Sequence, residues 1–221
     1  MFHHHAEKKA QEQYQAALVQ WQQVHDGYIE MLQTAQANYG VQTDEIMLKS
    51  GEHLVAKVAG ANLIEDRRGR GTYQGASHGV SFPIASIGGR TIRYRVGQTR
   101  GHFVQGDPVP TAIDTGTCFI TNQRIIFQGA KQTRECLFSK LIGVQHDDQT
   151  GTTVVSVSNR EKPTTIYYGP RISGWFDFRV DLALAQFRGT VDQLVAQLQH
   201  DLDTVEQSKP IAPTGNDAAG R

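Results

Sequence analysis

Seven arginines stand between residues 67 and 100 with no acidic residue among them: Arg67, Arg68, Arg70, Arg90, Arg93, Arg95 and Arg100. A guanidinium is a planar fork that meets phosphate or carboxylate through parallel hydrogen bonds, so the chemistry on offer is recognition of anions. Arg67-Arg68-Gly69-Arg70-Gly71 concentrates that charge between glycines, which leave the backbone free to approach a ligand. The same segment reads equally as a solvated hairpin tip. Arg93 and Arg95 alternate with Ile92, Tyr94 and Val96, so both arginines share one strand face. That face is turned to solvent, to an anion, or to the acidic stretch 175–207, which holds six acids against two arginines. Over the whole chain the charges balance, 22 basic against 22 acidic residues. Partner choice therefore follows how charge is distributed rather than its sum.

The other reactive residue types do not converge on a site. Gly69-x-Gly71-x-x-x-Gly75 lacks the following Gly-Lys-Ser/Thr of a phosphate loop and is not set between a strand and a helix. His3-His4-His5 reads as an unstructured start or a tag remnant, with no further Cys/His pair to close a metal site. Histidines 25, 53, 78, 102, 146 and 200 are scattered over different elements. Asp147 and Asp148 sit in a turn, where aspartate is chosen for its local hydrogen bonds. Cys118 and Cys136 flank a hairpin and read as a reduced, buried pair. No serine or cysteine has a nucleophile's context, and no paired carboxylates are flanked by apolar sequence. No catalytic residue, metal ligand or cofactor is assigned, and the expectation is a protein that is not an enzyme.

The elements that position these residues come in three parts. Residues 6–38 form one long helix within an N-terminal segment, 1–40. Tyr14, Leu18, Trp21, His25, Tyr28, Leu32 and Ala35 recur along it at spacings of four and three. Aromatic residues along that stripe require a partner surface, either the rest of the chain or a second copy. The self-association residues would be Tyr14, Leu18, Trp21, Tyr28 and Leu32. A short helical turn over 44–49, capped by Thr43, leads into a glycine-punctuated domain of short strands, 41–207. Its Gly-rich part, about 51–115, carries the arginines. The stretch 175–184 alternates, with Phe176, Phe178, Val180, Leu182 and Leu184 on one face, and predicts a strand. Thr190 with Gln193 then opens an amphipathic helix carrying Val191, Leu194, Val195, Leu198, Leu202 and Val205. Pro210 stops it, and the tail 208–221 is expected to be disordered.

The centre of the domain is Gly116-Thr117-Cys118-Phe119-Ile120-Thr121-Asn122-Gln123-Arg124-Ile125-Ile126-Phe127, two β-branched and aromatic runs around a polar turn. It resembles the Thr-Asn-x-Arg hairpin of bacterial PH-like and GRAM-like domains. Leu137-Phe138-Ser139-Lys140-Leu141-Ile142-Gly143-Val144 is similar to the segment that follows it there, so the resemblance covers about 116–206. It implies a mostly β, α+β fold: a PH-like bent β-barrel closed by a C-terminal amphipathic helix, here with a long N-terminal helix added. Residues 51–115 depart from the pattern, as an insertion or an additional small sheet. The resemblance also implies a binding scaffold without catalysis, for a protein partner or an anionic lipid surface. No ligand-binding residue carries over from it.

The alternative is a small-ligand or nucleic-acid module using the arginines of 67–100, although no RNA-binding aromatic signature or zinc spacing accompanies them. No run reaches the roughly 20 apolar residues a bilayer span needs. The polar start has no secretory core. The expected place is the cytoplasm, with peripheral contact at the inner membrane face.

Overall fold

In the computed structural model, residues 2–66, 73–77, 80–87, 90–96, 99–103 and 110–213 are described, those from 73 to 103 by backbone pairing alone. The chain divides into two units, residues 1–37 with 192–221 and residues 38–191.

The first unit is a helix pair. α1, Phe2–Gln36, takes in His3, His4 and His5 as helical residues, so the start is structured where the sequence predicted none. At 35 residues α1 is roughly 50 Å long. Its partner is α3, Val191–Gln207, which runs antiparallel to it. Trp21 Nε1 donates to the Val205 carbonyl at 2.7 Å, while the phenol of Tyr28, a turn and more further along α1, feels the charge of Asp201. Trp21 stacks on His25 with ring centres 4.7 Å apart, and His25 Nε2 lies 3.6 Å from Glu206 Oε1. Leu32 and Ala35 of α1 and Leu194, Leu198 and Leu202 of α3 are buried. From Trp21 to Ala35 the stripe on α1 is thus met within its own chain.

The second unit is an antiparallel sheet with one helix packed on it. Its strands are β1 (Leu54–Asp66), β6 (Pro110–Thr121), β7 (Arg124–Gly129), β8 (Thr133–Leu137), β9 (Leu141–Asp147), β10 (Thr152–Val157) and β11 (Thr164–Tyr167). They lie in the order β8-β7-β6-β1-β11-β10-β9. The expected barrel is not closed: β8 and β9 are the two edges of this sheet. β1 is long enough to pair with β6 along its length and with β11 at residues 62–64. β6 and β7 carry apolar residues on both faces because both faces are covered. Ile120, Ile125 and Phe127 are buried, while Phe119 and Ile126 on the other face join Leu54 in a second cluster, against which Ile46 packs.

The expected insertion contains paired strands. β2 (Tyr73–Ser77) pairs with β5 (Thr99–Phe103), and β3 (Val80–Ile87) pairs with β4 (Arg90–Val96). Partners Asp66↔Pro110, Tyr73↔Phe103 and Val80↔Val96 all have residue numbers that add to 176, so the three ladders share one register. The described pairings between 54 and 121 are therefore nested one inside the next.

Two expectations fail. Residues 44–49 contain bends and no helical turn, although Thr43 Oγ1 does accept the Glu45 N–H at 3.2 Å. Residues 175–184 are not a strand. They belong to α2, Ser173–Arg188, which packs on β1, β6 and β9. The alternating residues Phe176, Phe178, Val180, Leu182 and Leu184 are buried, and so are Ala183 and Ala185 between them. A helix buried on most sides shows no single dry stripe, and period two is then an accident of composition. α2 ends on Gly189 in the left-handed region, φ +68°, while the Thr190 N–H reaches back to the Ala185 carbonyl at 2.8 Å. The helix on the sheet is thus α2, and the expected plug, α3, belongs to the helical unit.

Candidate functional site

Four separate pieces of the second unit bring polar side chains, most of them titratable, to one place. β9 supplies His146 and the following turn Asp148. β10 supplies Thr153, cross-strand from His146 in the register. Tyr168 follows β11 directly. α2 supplies Asp177 and Asp181, four apart and so on one helix face. The turn is docked close against the end of β11. Gly151, at φ +69°, receives hydrogen bonds from the Tyr168 and Gly169 amides at 2.9 and 3.2 Å. A Cβ on Gly151 would stand 2.0 Å from the Gly169 carbonyl carbon, so only glycine fits.

At the centre, His146 Nδ1 lies 2.7 Å from Asp177 Oδ1 and 2.8 Å from Thr153 Oγ1. The Tyr168 hydroxyl donates to Asp177 Oδ1 at 3.0 Å, which leaves Thr153 to donate to the Tyr168 oxygen at 2.9 Å. Phe176 stacks on Tyr168 with ring centres 3.9 Å apart and covers the group with a dry surface. His146 and Asp177 retain only 20% and 10% of their side-chain exposure.

The electrostatics follow from shared burial. Burial pushes Asp148 up to about 6, helped by its hydrogen bond and repulsion with Asp177. Burial likewise lifts Asp181 to about 7. For His146 burial opposes the charged form, but the hydrogen bond to Asp177 and the charges of Asp177, Asp181 and Asp148 outweigh it, and its pKa is raised. Burial, then the charge of Asp177, raises the Tyr168 phenol. The cluster can hold and exchange protons near neutral pH. Among the described residues no group of three or more His, Cys, Asp or Glu is arranged to hold a metal ion.

The sequence did not disclose this cluster. Read as a strand, 175–184 turns Asp177 and Asp181 away from the apolar face and into water. Helical spacing would have put them together. Asp147 does behave as a turn residue, accepting the Gln149 amide at 3.0 Å. Asp148 turns instead toward Asp177 and His146. Asp148 and Asp177 are thus brought together from separate elements, a pairing that adjacency in the sequence does not announce.

The Thr-Asn-x-Arg hairpin has a different occupation. Arg124 Nε and Nη2 donate to Glu52 at 2.7 and 2.9 Å, Nη2 also to the Met47 carbonyl at 2.6 Å, and Nη1 to Glu135. Thr121 donates to Glu52 at 2.6 Å. Asn122 accepts the His53 amide at 2.9 Å and donates to the Gly51 carbonyl at 3.0 Å, and Gln123 donates to the Ser50 carbonyl at 3.0 Å. Every polar side chain of the motif thus ties residues 47–53 to the turn.

Of the residues singled out for binding, Arg67, Arg68 and Arg70 lie outside the described residues. Arg93 and Arg95 stand on β4, opposite Pro83 and Ser81. On α1, Trp21, Tyr28 and Leu32 belong to the stretch that meets α3, while Tyr14 and Leu18 lie half-buried beyond it. Cys118 and Cys136 are free and buried. Among the described residues no helix is long and apolar enough to cross a membrane. Comparison of the chain with protein-family models, with curated proteins and with solved structures returns no match.

Proposed function

We propose that this chain is a non-catalytic binding module on a PH-like, GRAM-like scaffold, recognising a protein partner or an anionic membrane surface. One observation carries the reading. Counted in chain order, the strands of the open sheet lie fourth, third, second, first, seventh, sixth, fifth, and a helix follows directly on the seventh. Two meanders share the first strand, and α2 packs on strands of both. That is the economy of a strand-rich domain with one helix after its last strand, which the Thr121–Arg124 hairpin suggests by resemblance.

The motif's own side chains are turned inward onto residues 47–53, so recognition falls to other surfaces. His146, Thr153, Tyr168 and Asp177 are hydrogen-bonded to one another, which favours a structural over a catalytic use. Arg93 and Arg95 stand on β4, and anion contact through Arg67, Arg68, Arg70, Arg93 and Arg95 is the form of binding their chemistry suits. Co-sedimentation with vesicles, with and without anionic lipid and at low and physiological salt, tests this. Salt-sensitive binding to anionic vesicles alone, lost when Arg67, Arg68 and Arg70 are reversed to Glu, is the expected result. Absence of binding at low salt overturns the membrane surface and leaves a protein partner, to be sought by pull-down.

A further inference from the structure

We propose that the His146 cluster is a proton-operated latch, fastening the start of α2 to the β9–β11 half of the sheet in mildly acidic solution and loosening that contact as the solution turns alkaline. The cluster spans one contact: on one side β9 with its turn, β10 and the end of β11, which are paired in the sheet, and on the other the first turns of α2. Whatever changes its charge changes how α2 is held.

The charged and titratable groups that act on His146 and its partners come from its own turn, the end of β11 and α2. Asp147 and Asp148 lie in its own turn, Tyr168 follows β11, and Asp177, Asp181 and Arg188 stand on α2. When proton-rich, the cluster is an imidazolium–carboxylate pair flanked by neutral carboxyl groups. When proton-poor, three carboxylates face a neutral imidazole in a half-buried place. Like charges gathered there repel the more strongly the less solvent screens them. Asp148 Oδ1 is buried with no hydrogen-bond partner among the described residues. That oxygen is tolerable on a neutral carboxyl and costly on a carboxylate. Asp148 and Asp181 change state at about 6 and about 7, and His146 above its ordinary value, so the transition falls close to neutrality.

Amide hydrogen exchange on the full chain, corrected for the intrinsic pH dependence, reads the latch directly. Between about pH 5.5 and about pH 8.5, protection across 173–181 should fall at least ~10-fold relative to that of β6 and β7. Asp181→Asn, which removes one of the opposing charges, should retain most of the α2 protection at the alkaline end. His146→Gln should show the loosened α2 already at the acidic end. Equal pH dependence of α2 and of β6–β7, or an unaltered loss in Asp181→Asn, overturns the proposal. Should His146→Gln not fold, the Asp181→Asn comparison decides alone.

Discussion

Arg124 and Glu52, distant in sequence, meet in a two-pronged ion pair, Nε to Oε1 at 2.7 Å and Nη2 to Oε2 at 2.9 Å. The Glu52 side chain is fully buried and that of Arg124 is 11% exposed. The pair fastens the approach to β1 onto the β6–β7 turn, and Thr121 and Glu135 complete its hydrogen bonds. A buried ion pair contributes little net stability against an apolar replacement, but a half-pair leaves an uncompensated charge.

Arg124→Ala or Glu52→Ala should therefore cost about 3–5 kcal/mol by urea denaturation. Glu52→Leu combined with Arg124→Met should recover most of that loss. A double variant as unstable as either single one would show that the pair sets the local fold rather than neutralising itself.

Stability should peak in mildly acidic solution. Glu52, Glu135 and Asp114 have folded pKa values below their ordinary ones, through hydrogen bonds that outweigh burial for Glu52 and Asp114. Their contribution is present above the ordinary carboxylate range and is lost as pH falls through the folded values. His146, Asp148 and Asp181 are shifted the other way, so folding takes up protons. What they contribute is complete below their unfolded values and is lost as pH rises through about 6 for Asp148 and about 7 for Asp181. Melting temperature plotted against pH should fall on both sides of the maximum, and Asp181→Asn should flatten the alkaline limb. A flat curve from mildly acidic to mildly alkaline pH would refute the assignment.

Leu198→Ala should destabilise the α1–α3 pair by about 2–5 kcal/mol, because the side chain is buried and its removal leaves a cavity. Loss of helical circular dichroism on urea titration measures it. A cost under about 1 kcal/mol would mean that the pair collapses around the gap.

Gly151 and Gly189 separate two reasons for glycine. Both have positive φ, but a Cβ on Gly189 meets nothing within 4 Å, whereas one on Gly151 meets the Gly169 backbone. Gly189→Ala should cost about 1–2 kcal/mol, the left-handed penalty alone. Gly151→Ala should cost more and should also disturb the His146 ring resonances, since the turn carrying Asp148 must shift.

Much of the fold was legible residue by residue. The Thr-Asn-Gln-Arg turn between two apolar runs marked β6 and β7, because strand propensity and turn chemistry agree there. The spacing from Tyr14 to Ala35 marked α1, and Val191 to Val205 marked α3, because an amphipathic stripe records one wet and one dry side. The same logic failed at 175–184, where burial on most sides erased the stripe. It failed too at 51–115, where glycine spacing suggested separate short strands and concealed the common register of the described pairings.

By itself the sequence determined which segments are helix or strand wherever each has one dry face, since that choice is local and periodic. The tertiary structure alone decided which helix covers the sheet and which residues do chemistry together. Glu52 with Arg124, and His146 with Asp177, are brought together only by strand register and helix docking. Those depend on contacts between distant residues, whose closeness no local pattern encodes.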